Sequence, residues 1–308
     1  MEQLPVVQQP QRIDQFLSKT LPYSRNFFHH IIKRWAVLIQ RDSQQYICKK
    51  KSQKVLVWDR VYIESLKRFI DWGILQEAPA WSIDVCFECD DYLILNKPKW
   101  VISHPNSIWD MQQRSVVWWV YHYLNKQWLP SMWSFVRAWL IHRLDKETNG
   151  LMIIAKTEIW LQHFKMLFQQ KSIATTLADK HAVPLKKRYR ATAIKTPAAE
   201  DFLVTLKTKL PFTHQAPVTP KTPRPTTKDG ITIFEAIVQE TDHTVTFLIE
   251  ILTGRTHQIR VHLSELWLPI QWDYLYGTED KKWLQLSAVR LDFQDIDWTM
   301  RTITLDNK

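Results

Sequence analysis

The chain has 308 residues, 45% of them hydrophobic and 23% charged, which is typical of a globular protein of about two domains with a substantial core. With 41 Lys and Arg against 31 Asp and Glu, the net charge is +10. This charge favours a polyanionic partner such as nucleic acid, and the alternative is a basic protein without one. The chain has three Cys, and it shows neither a signal-like N-terminus nor a run near ~18 apolar residues. We therefore expect a cytoplasmic protein without a disulfide framework or a membrane span.

Two short helices followed by strands are predicted near the N-terminus. Residues 12–19 have the apolar spacing of an amphipathic helix, and Ser24 is a suitable N-cap for a basic helix over 25–34. Strands are predicted near 37–39 and over 55–63. The arrangement resembles the alpha-L domain, a small RNA-binding module named for a small-subunit ribosomal protein.

This resemblance covers residues 10–66 and implies that their basic side chains contact RNA. A generic helical cap is the alternative interpretation, because short basic helix pairs also occur elsewhere. Residues 67–82 contain Pro79 and show little periodicity, so they are interpreted as a linker. Residues 83–308 then form a larger second domain.

The larger domain has the pattern of a mixed α/β fold. Helices are predicted over 115–126 and 158–170, and a surface loop over 212–227, where Pro and Thr are frequent. Apolar runs and alternations predict five strands, over 83–89, 92–95, 151–155, 231–238 and 245–252.

Residues 140–156 contain the most informative motif of the chain. His142, Arg143 and Asp145 precede a polar turn that ends at Gly150, and an apolar run then predicts a buried strand. Asp145 is therefore expected on a loop that a core strand holds in place, a common location for catalytic residues. For an arbitrary Arg-Leu-Asp the usual interpretation is a weak surface ion pair.

Two further segments carry candidate functional residues. Tyr189 follows two basic residues on a predicted strand, where a Tyr usually packs against its neighbours. Residues 254–262 read Gly-Arg-Thr-His-Gln-Ile-Arg-Val-His, and Thr256 is a possible cap for a helix that directs Arg260 towards Asp145. A salt bridge between Arg260 and Asp145 is expected, with Arg255 as the second choice.

The segment His-Arg-Leu-Asp-Lys-Glu-Thr-Asn-Gly-Leu resembles the signature of the RluA-type pseudouridine synthases, as do Asn96-Lys97-Pro98 and His104-Pro105. The resemblance implies that Asp145 is catalytic and that Tyr189 reaches over the target base. We assign Arg260 to the catalytic set with them. Arg143, His142, Arg255 and Lys97 are assigned to substrate binding.

This chemistry explains the residue types. Conversion of uridine to pseudouridine breaks the bond from ribose to N1 and forms a bond to C5, so no metal, redox step or cofactor is expected. A neighbouring guanidinium favours an ionised carboxylate, which acts at the nucleoside as nucleophile or base, and the sequence leaves both roles open. Tyr189 is the candidate for stacking on uracil and relaying the C5 proton.

Other functions are less compatible with the sequence. The pair Cys86-Phe-Glu-Cys89 lacks a second pair, so core packing is expected rather than zinc binding. His257 and His262 do not share a helix face, which disfavours a metal pair, and no Gly-rich phosphate loop is present. The alternatives kept open are a tRNA-acting synthase and an inactive, synthase-like RNA-binding protein.

Large-subunit ribosomal RNA is the favoured substrate, because in this family the N-terminal module usually accompanies enzymes that act on it. We expect the protein to act as a monomer.

The tryptophan content is abnormal, with 16 Trp and only 5 Gly. Average usage of about 7% Gly would give about 22, close to the sum of the two. Trp also stands at predicted turns where the family pattern has Gly, at positions 35, 58, 100, 139, 267 and 272. One hypothesis is that UGA codons for Gly were translated as Trp, and the alternative is a lineage that tolerates Trp in turns. The first predicts that Trp58, Trp100, Trp139 and Trp272 lie in turns, some with positive φ, and are poor partners for a core.

Overall fold

The computed structural model describes residues 2–21, 25–64, 79–105, 113–124, 139–223, 225–277 and 283–305. The chain divides into two compact units, one of residues 1–82 and 104–139, the other of residues 83–103 and 140–308. The predicted N-cap Ser24, most of the predicted linker and the end of the predicted 115–126 helix lie outside the described residues.

The N-terminal unit combines small antiparallel sheets with short helices. A four-stranded sheet has the order β1-β6-β3-β4, and β2 pairs with β5. Asp42 and Ser43, both with positive φ, form the two-residue turn between β3 and β4, as such hairpins require. The described elements are β1 (Glu2–Gln3), β2 (Gln11–Arg12), α1 (Ile13–Thr20), α2 (Arg25–Lys33), β3 (Val37–Arg41), β4 (Gln44–Ile47), β5 (Lys54–Val55), β6 (Arg60–Ile63) and α3 (Val116–Tyr123).

A buried carboxylate holds α1 and α2 together. Asp14 on α1 accepts hydrogen bonds from Arg25 at 2.7 Å and from Arg12 at 3.0 Å, and lies 2.8 Å from His29. Burial alone would raise the pKa of Asp14, but these hydrogen bonds outweigh burial and lower it well below its usual range. The charged residues of this helix pair therefore stabilise the unit itself.

The larger unit is built on one mixed sheet. The strand order is β11-β12-β13-β10-β14-β9-β8-β7, with β15 paired to β14, and β9 and β14 are its parallel neighbours. Its elements are β7 (Asp84–Glu88), β8 (Tyr92–Lys97), β9 (Asn149–Ala155), α4 (Glu158–Ile173), α5 (Leu177–Ala182), β10 (Leu185–Ile194), a 3₁₀ turn (Pro197–Ala199), α6 (Glu200–Lys209), β11 (Phe212–Val218), β12 (Lys228–Glu240), β13 (Thr244–Ile251), α7 (Gln258–Glu265), β14 (Leu286–Gln294) and β15 (Met300–Thr304).

The predicted amphipathic helix forms and covers the sheet. Thr157 caps α4 by accepting a hydrogen bond from the backbone of Trp160, and Leu161, Phe164 and Leu167 are buried on its inner face. They contact apolar residues of the central strands, including Ile153 of β9. The core strand that follows the Asp145 motif, β9, is thus packed against α4.

Two predictions about this unit are wrong. Residues 212–218 of the predicted 212–227 loop form β11, whose exposed and half-buried residues alternate along an edge strand, a position that tolerates Pro217. Cys86 is exposed rather than packed in the core, because it points outward from an edge strand, whereas Cys89 packs partly against the core. Among the described residues, no helix is long and apolar enough to cross a membrane.

Tryptophan occupies most left-handed backbone positions. Of ten described non-Gly residues with positive φ, seven are Trp, at φ between 51° and 71°: Trp35, Trp58, Trp100, Trp139, Trp267, Trp272 and Trp298. The prediction that some of Trp58, Trp100, Trp139 and Trp272 have positive φ is therefore confirmed, since all four do. The prediction that they are poor partners for a core is wrong for Trp139, which is buried. Each such residue costs roughly 1–2 kcal/mol. Seven together cost about as much as the whole stability of a typical domain.

Candidate active site

The loop that carries Asp145, residues 142–149, is here called the Asp145 loop. Ser103 clamps its backbone, since the Ser103 hydroxyl donates to Leu144 O at 2.7 Å and accepts from Leu144 N at 3.0 Å. His142 Nε2 accepts a hydrogen bond from Ile153 N at 3.0 Å. The Asp145 loop is therefore held at the Leu144 backbone by Ser103 and at the His142 side chain by the backbone of β9.

The contacts of His142 are those of a residue that supports the fold. Its ring stacks on Phe168 with centroids 5.1 Å apart. Burial, with a smaller contribution from Lys187, lowers the pKa of His142 to about 3, so the ring is neutral at physiological pH. This fits its role as an acceptor for the Ile153 amide.

Lys97 lies beneath the Asp145 loop. Its side chain is completely buried, and Nζ donates to Val101 O at 2.7 Å, Pro98 O at 3.0 Å and Lys146 O at 3.3 Å. Burial lowers the pKa of Lys97 to about 7, while the charges of Asp145 and Glu147 act in the opposite direction. Lys97 thus ties the end of β8 to the Asp145 loop.

Gly150 ends the Asp145 loop at a close approach of two strands. Its φ is +124°, and a Cβ at this position would lie 2.2 Å from Ala288 O on β14. No other residue fits such a contact without separating β9 from β14. The loop therefore leaves the sheet at a fixed point.

The opposite wall of the cleft, residues 253–260, is here called the Arg260 segment. Gln258 is buried and fully hydrogen-bonded: Oε1 accepts from Thr253 Oγ1 at 2.7 Å and Arg255 N at 3.1 Å, while Nε2 donates to Ile231 O and Thr232 Oγ1, both at 3.0 Å. These contacts anchor the first residue of α7 to β12.

The helix begins differently from the sequence expectation. His257, not Thr256, precedes α7, and it has a left-handed backbone with φ 58° and no side-chain cap. Its Nδ1 lies 2.9 Å from Tyr276 Oη, and its Nε2 lies 4.0 Å from Asp145 Oδ2. Burial lowers the pKa of His257, although Asp145 opposes the shift. A strained backbone here accompanies an imidazole 4.0 Å from the Asp145 carboxylate.

Arg260 is held by Asp273 rather than by Asp145. Nε donates to Asp273 Oδ2 at 2.8 Å and Nη2 donates to Oδ1 at 2.7 Å, and both side chains are buried. Glu147 Oε2 lies 3.7 Å from Nη1, which is buried without a hydrogen-bond partner. The predicted Arg260–Asp145 salt bridge is therefore wrong for this structure. The two side chains interact electrostatically across the same cleft.

Tyr189 and Lys187 come from neighbouring positions on β10. Tyr189 is buried, and burial, reinforced by the charge of Asp145, raises the pKa of its phenol above its usual range. Burial also lowers the pKa of Lys187 to about 8, with Lys171 adding to the shift and Glu250 opposing it. The Lys187 ammonium lies 5.1 Å from the centroid of the Phe168 ring.

These side chains line one solvent-open cleft of about 100 Å³. Among the residues that line the cleft, Asp145 is the one acidic residue and five have basic or imidazole side chains. The lining contains Arg143, Leu144, Asp145, Thr148, Lys187, Tyr189, Ile251, Gly254, Arg255, Thr256, His257, Gln258, Ile259, Arg260 and Leu286.

The structure brings together five of the seven residues selected from the sequence: Asp145, Tyr189, Arg260, Arg143 and Arg255. Lys97 and His142 do not line the cleft, because Lys97 Nζ donates to backbone carbonyls beneath the Asp145 loop and His142 Nε2 accepts from Ile153 N. The assignment of these two residues to substrate binding is therefore corrected to support of the loop.

Sequence reasoning missed Asp273 and Lys187, and considered His257 only as a metal ligand. Asp273 lies in a turn without helical or strand periodicity, and no local pattern links it to Arg260. Lys187 had a weak signal, since it stands two residues before Tyr189 and side chains two apart on a strand share a face. Within the described parts of the chain, no cluster of three or more His, Cys, Asp or Glu is arranged for a metal.

Comparison with known proteins identifies the family of this chain. Residues 91–265 match the RNA pseudouridylate synthase family. The chain belongs to that family. Its members are isomerases, and this protein is a pseudouridine synthase of mixed α/β fold.

Two curated relatives extend the similarity beyond the family match. Ribosomal large subunit pseudouridine synthase D of Yersinia pestis is 30% identical over 274 residues, which cover 87% of this chain and 73% of the relative. The protein of the same name from Salmonella typhimurium (strain LT2) is 29% identical over 268 residues, with the same coverage. Human RNA pseudouridylate synthase domain containing 4 has a TM-score of 0.53 at 17% identity, covering 73% of this chain and 88% of that chain, which indicates a shared fold alone.

Proposed function

We propose that this synthase converts uridine to pseudouridine in large-subunit ribosomal RNA, with Asp145, Tyr189 and Arg260 as its catalytic residues. The observation that carries the proposal is the convergence of these three side chains, far apart in sequence, on one basic cleft. A cleft that combines one carboxylate with several cations suits a reaction at a nucleoside within a polyanion.

Asp145 is poised to react. Among the described residues its carboxylate accepts no hydrogen bond, and its one ion-pair partner within 4.0 Å is His257. Its oxygens are therefore free to attack the ribose or to act on the nucleoside as a base. Arg260 supplies positive charge across the cleft, which stabilises the ionised carboxylate.

Tyr189 acts as a neutral phenol. Its raised pKa keeps the proton on the hydroxyl at physiological pH. The uncharged ring stacks on the uracil, and its hydroxyl relays the C5 proton. The target base has to leave its stack to reach a ring on the floor of this cleft.

Arg143, Lys187 and Arg255 contact the phosphates that flank the target. Arg143 is exposed, and Arg255 is oriented by donation from its Nε to Asp229 O at 2.9 Å. Phosphate contacts of this kind position the substrate without reading its sequence.

Residues 10–66 form the second RNA contact, as the alpha-L resemblance implies. Lys50 and Lys51 are exposed in the turn before β5 and have no ion pair among the described residues. The Lys50→Ala and Lys51→Ala variants should each reduce the slope of log K against log salt by about 1. An unchanged slope in the double variant would argue against RNA contact by this turn.

The choice of large-subunit ribosomal RNA is supported by the names of the two curated relatives. Transfer RNA is the second candidate, on the basis that a phosphate-binding cleft does not itself discriminate between the two.

The test uses the parent chain and Asp145→Asn on transcribed large-subunit ribosomal RNA and on transfer RNA, with pseudouridines mapped at nucleotide resolution. The parent should modify the ribosomal transcript, and the variant should be slower by a factor on the order of 10³ or more while binding RNA equally. Modification of transfer RNA alone would overturn the substrate assignment. Equal RNA binding with no pseudouridine from either chain would instead indicate a binding protein.

A further inference from the structure

We propose that glycine, not tryptophan, occupies positions 35, 58, 100, 139, 267, 272 and 298 in the protein that the source organism makes, with the codon UGA read as glycine. The proposal is independent of the proposed function. It rests on the backbone at these seven positions, which is left-handed in every case.

Two of the seven end helices in a motif typical of glycine. After α2, Trp35 N donates to Ile32 O at 3.0 Å and Ala36 N lies 3.4 Å from Ile31 O. After α7, the same pair of bonds joins Trp267 N to Ser264 O at 3.1 Å and Leu268 N to Leu263 O at 2.9 Å. This is the Schellman pattern, in which the left-handed residue after the C-cap is usually Gly.

Three more stand in turns with a glycine-specific position. Asp59 N bonds Leu56 O and Asp273 N bonds Ile270 O, both at 3.1 Å, so Trp58 and Trp272 are third residues of four-residue turns. A positive φ at this position requires Gly or Asn. Between β14 and β15, Trp298 N bonds Asp295 O at 3.0 Å, and Trp298 occupies the left-handed site of a bulged hairpin, again a Gly position.

Four of the seven indoles gain little in return for this strained backbone, whereas Trp139 is buried. Trp35, Trp58, Trp267 and Trp298 are 62%, 77%, 63% and 78% exposed, so burial does not offset the strain. Gly150 is the one described glycine with positive φ. A chain that uses Trp seven times and Gly once at such positions reverses the steric preference of the two residues.

Trp160 is an internal contrast. It lies inside α4, and its ring is 4.7 Å from that of Tyr92, as expected of a genuine aromatic residue. The proposal therefore separates the tryptophans by backbone conformation and does not apply to all of them.

The test reads the gene and weighs the native protein. UGA at the seven positions, UGG at Trp160, and peptides with the residue mass of glycine at the seven would support the proposal. UGG codons or tryptophan masses at the seven would overturn it, and so would UGA at Trp160.

A recombinant pair tests the structural argument separately. A chain with Gly at all seven positions should unfold at a midpoint on the order of 10 °C or more above the all-Trp chain, or fold where the latter does not. Trp160→Gly, the matched control, should lower the midpoint because it removes packing and places Gly inside a helix. An all-Gly midpoint equal to or below that of the all-Trp chain would overturn the proposal.

A second inference comes from the Arg260 contacts and rests on the proposed function. We infer that Asp273 is a positioning residue that aims Arg260 into the cleft. Besides the two bonds to the guanidinium, Asp273 Oδ1 accepts from Leu275 N at 3.0 Å and Tyr276 N at 3.2 Å. The carboxylate is thus fixed by the backbone of its own turn and does not line the cleft.

This arrangement leaves one edge of the guanidinium available. Asp273 takes Nε and Nη2, whereas Nη1 is buried without a hydrogen-bond partner and lies 3.7 Å from Glu147. A buried N–H without a hydrogen bond is costly unless the reacting state uses it, and here its one charged neighbour is the ion-paired Glu147. Asp273 therefore sets the orientation of the Arg260 guanidinium at the cleft.

A double-mutant cycle tests the inference on whichever RNA the parent modifies. Asp273→Asn should lower kcat on the order of 100-fold, because the amide nitrogen faces the guanidinium donors, while KM for RNA changes less than about threefold. Added to Arg260→Met, it should cause no further loss, and Asp273→Glu should restore part of the activity.

The fold is controlled with Arg260→Met/Asp273→Leu, since an apolar pair can replace a buried ion pair without loss of stability. Its activity should equal that of Arg260→Met alone. Additive losses in the cycle, or a larger effect on KM than on kcat, would overturn the role of Asp273. A parent that makes no pseudouridine would instead overturn the proposed function, and this inference with it.

Discussion

The two walls of the cleft hold their functional side chains in different ways. In the Asp145 loop, Lys97 and Ser103 bind backbone atoms, and the Asp145 carboxylate itself accepts no hydrogen bond from the described residues. In the Arg260 segment the contacts join side chains, and the Arg260 guanidinium is bound on one edge by Asp273. One wall therefore has a fixed backbone under a free side chain, and the other has a fixed side chain.

This difference fits the two tasks. A residue that attacks or deprotonates has to keep its oxygens available, so its position is best set through its backbone. A residue that supplies positive charge acts from a fixed location and benefits from a preorganised partner. The comparison leads to three predictions, in order of decreasing effect.

Lys97→Met should have the largest effect, because it removes the ammonium that three backbone carbonyls share beneath the Asp145 loop. We expect kcat to fall about 10- to 100-fold through misplacement of Asp145, and the free energy of unfolding to fall by about 1–3 kcal/mol. Single-turnover kinetics and urea unfolding measure the two effects. Lys209→Met, exposed on α6, is the control and should change neither. A normal kcat in Lys97→Met would show that the position of the Asp145 loop does not depend on Lys97.

Gln258→Ala should affect stability more than activity. The buried amide makes four hydrogen bonds, so its loss should lower the free energy of unfolding by about 2–3 kcal/mol. Activity at a temperature where the variant is folded should change less than about threefold, since Asp273 still holds Arg260. The exposed Gln162→Ala should stay within about 0.5 kcal/mol of the parent. A loss of kcat as large as that of Lys97→Met would remove the distinction between the walls.

Titration of Lys187 should make KM for RNA change slightly with pH. Its pKa of about 8 lies below the ordinary 10.5, so its charge is present below pH 8 and is lost as the pH rises above 8. If the ammonium binds a phosphate, KM of the parent should rise about fivefold between pH 7 and pH 9, which corresponds to about 1 kcal/mol.

Two variants complete this test. Lys187→Arg keeps its charge over the whole range and should give a flat profile at low KM, whereas Lys187→Met should be flat at high KM. The same rise in KM for Lys187→Met as for the parent would assign the titration to another group.

Local patterns in the sequence were sufficient for several elements and for the identity of the main site residues. The helix over α4 and the strand β9 follow from apolar spacing, because the side chains of each element face one core. Asp145, Tyr189 and Arg260 were selected through their motifs, and the structure places all three at the cleft. The role of residues 10–66 in RNA binding stays a prediction.

The contacts between distant segments depended on the tertiary structure. Residues 212–218 became a strand because β12 offers them an edge to pair with, although their composition indicates a loop. Lys97 points beneath the Asp145 loop, where three carbonyls converge, instead of towards the cleft. Such outcomes are decided by partners that no local pattern contains.

The sequence, through its resemblance to a family, determined which residue types reach the site, and Trp at positions where the family pattern has Gly indicated where the backbone turns. Only the tertiary structure decided that Arg260 pairs with Asp273 and leaves Asp145 free. The physical reason is that a buried guanidinium binds the carboxylate whose backbone is fixed at the right distance and angle. That geometry depends on how the turn before Tyr274 folds back onto α7, which follows from the packed structure rather than from the spacing of residues along the chain.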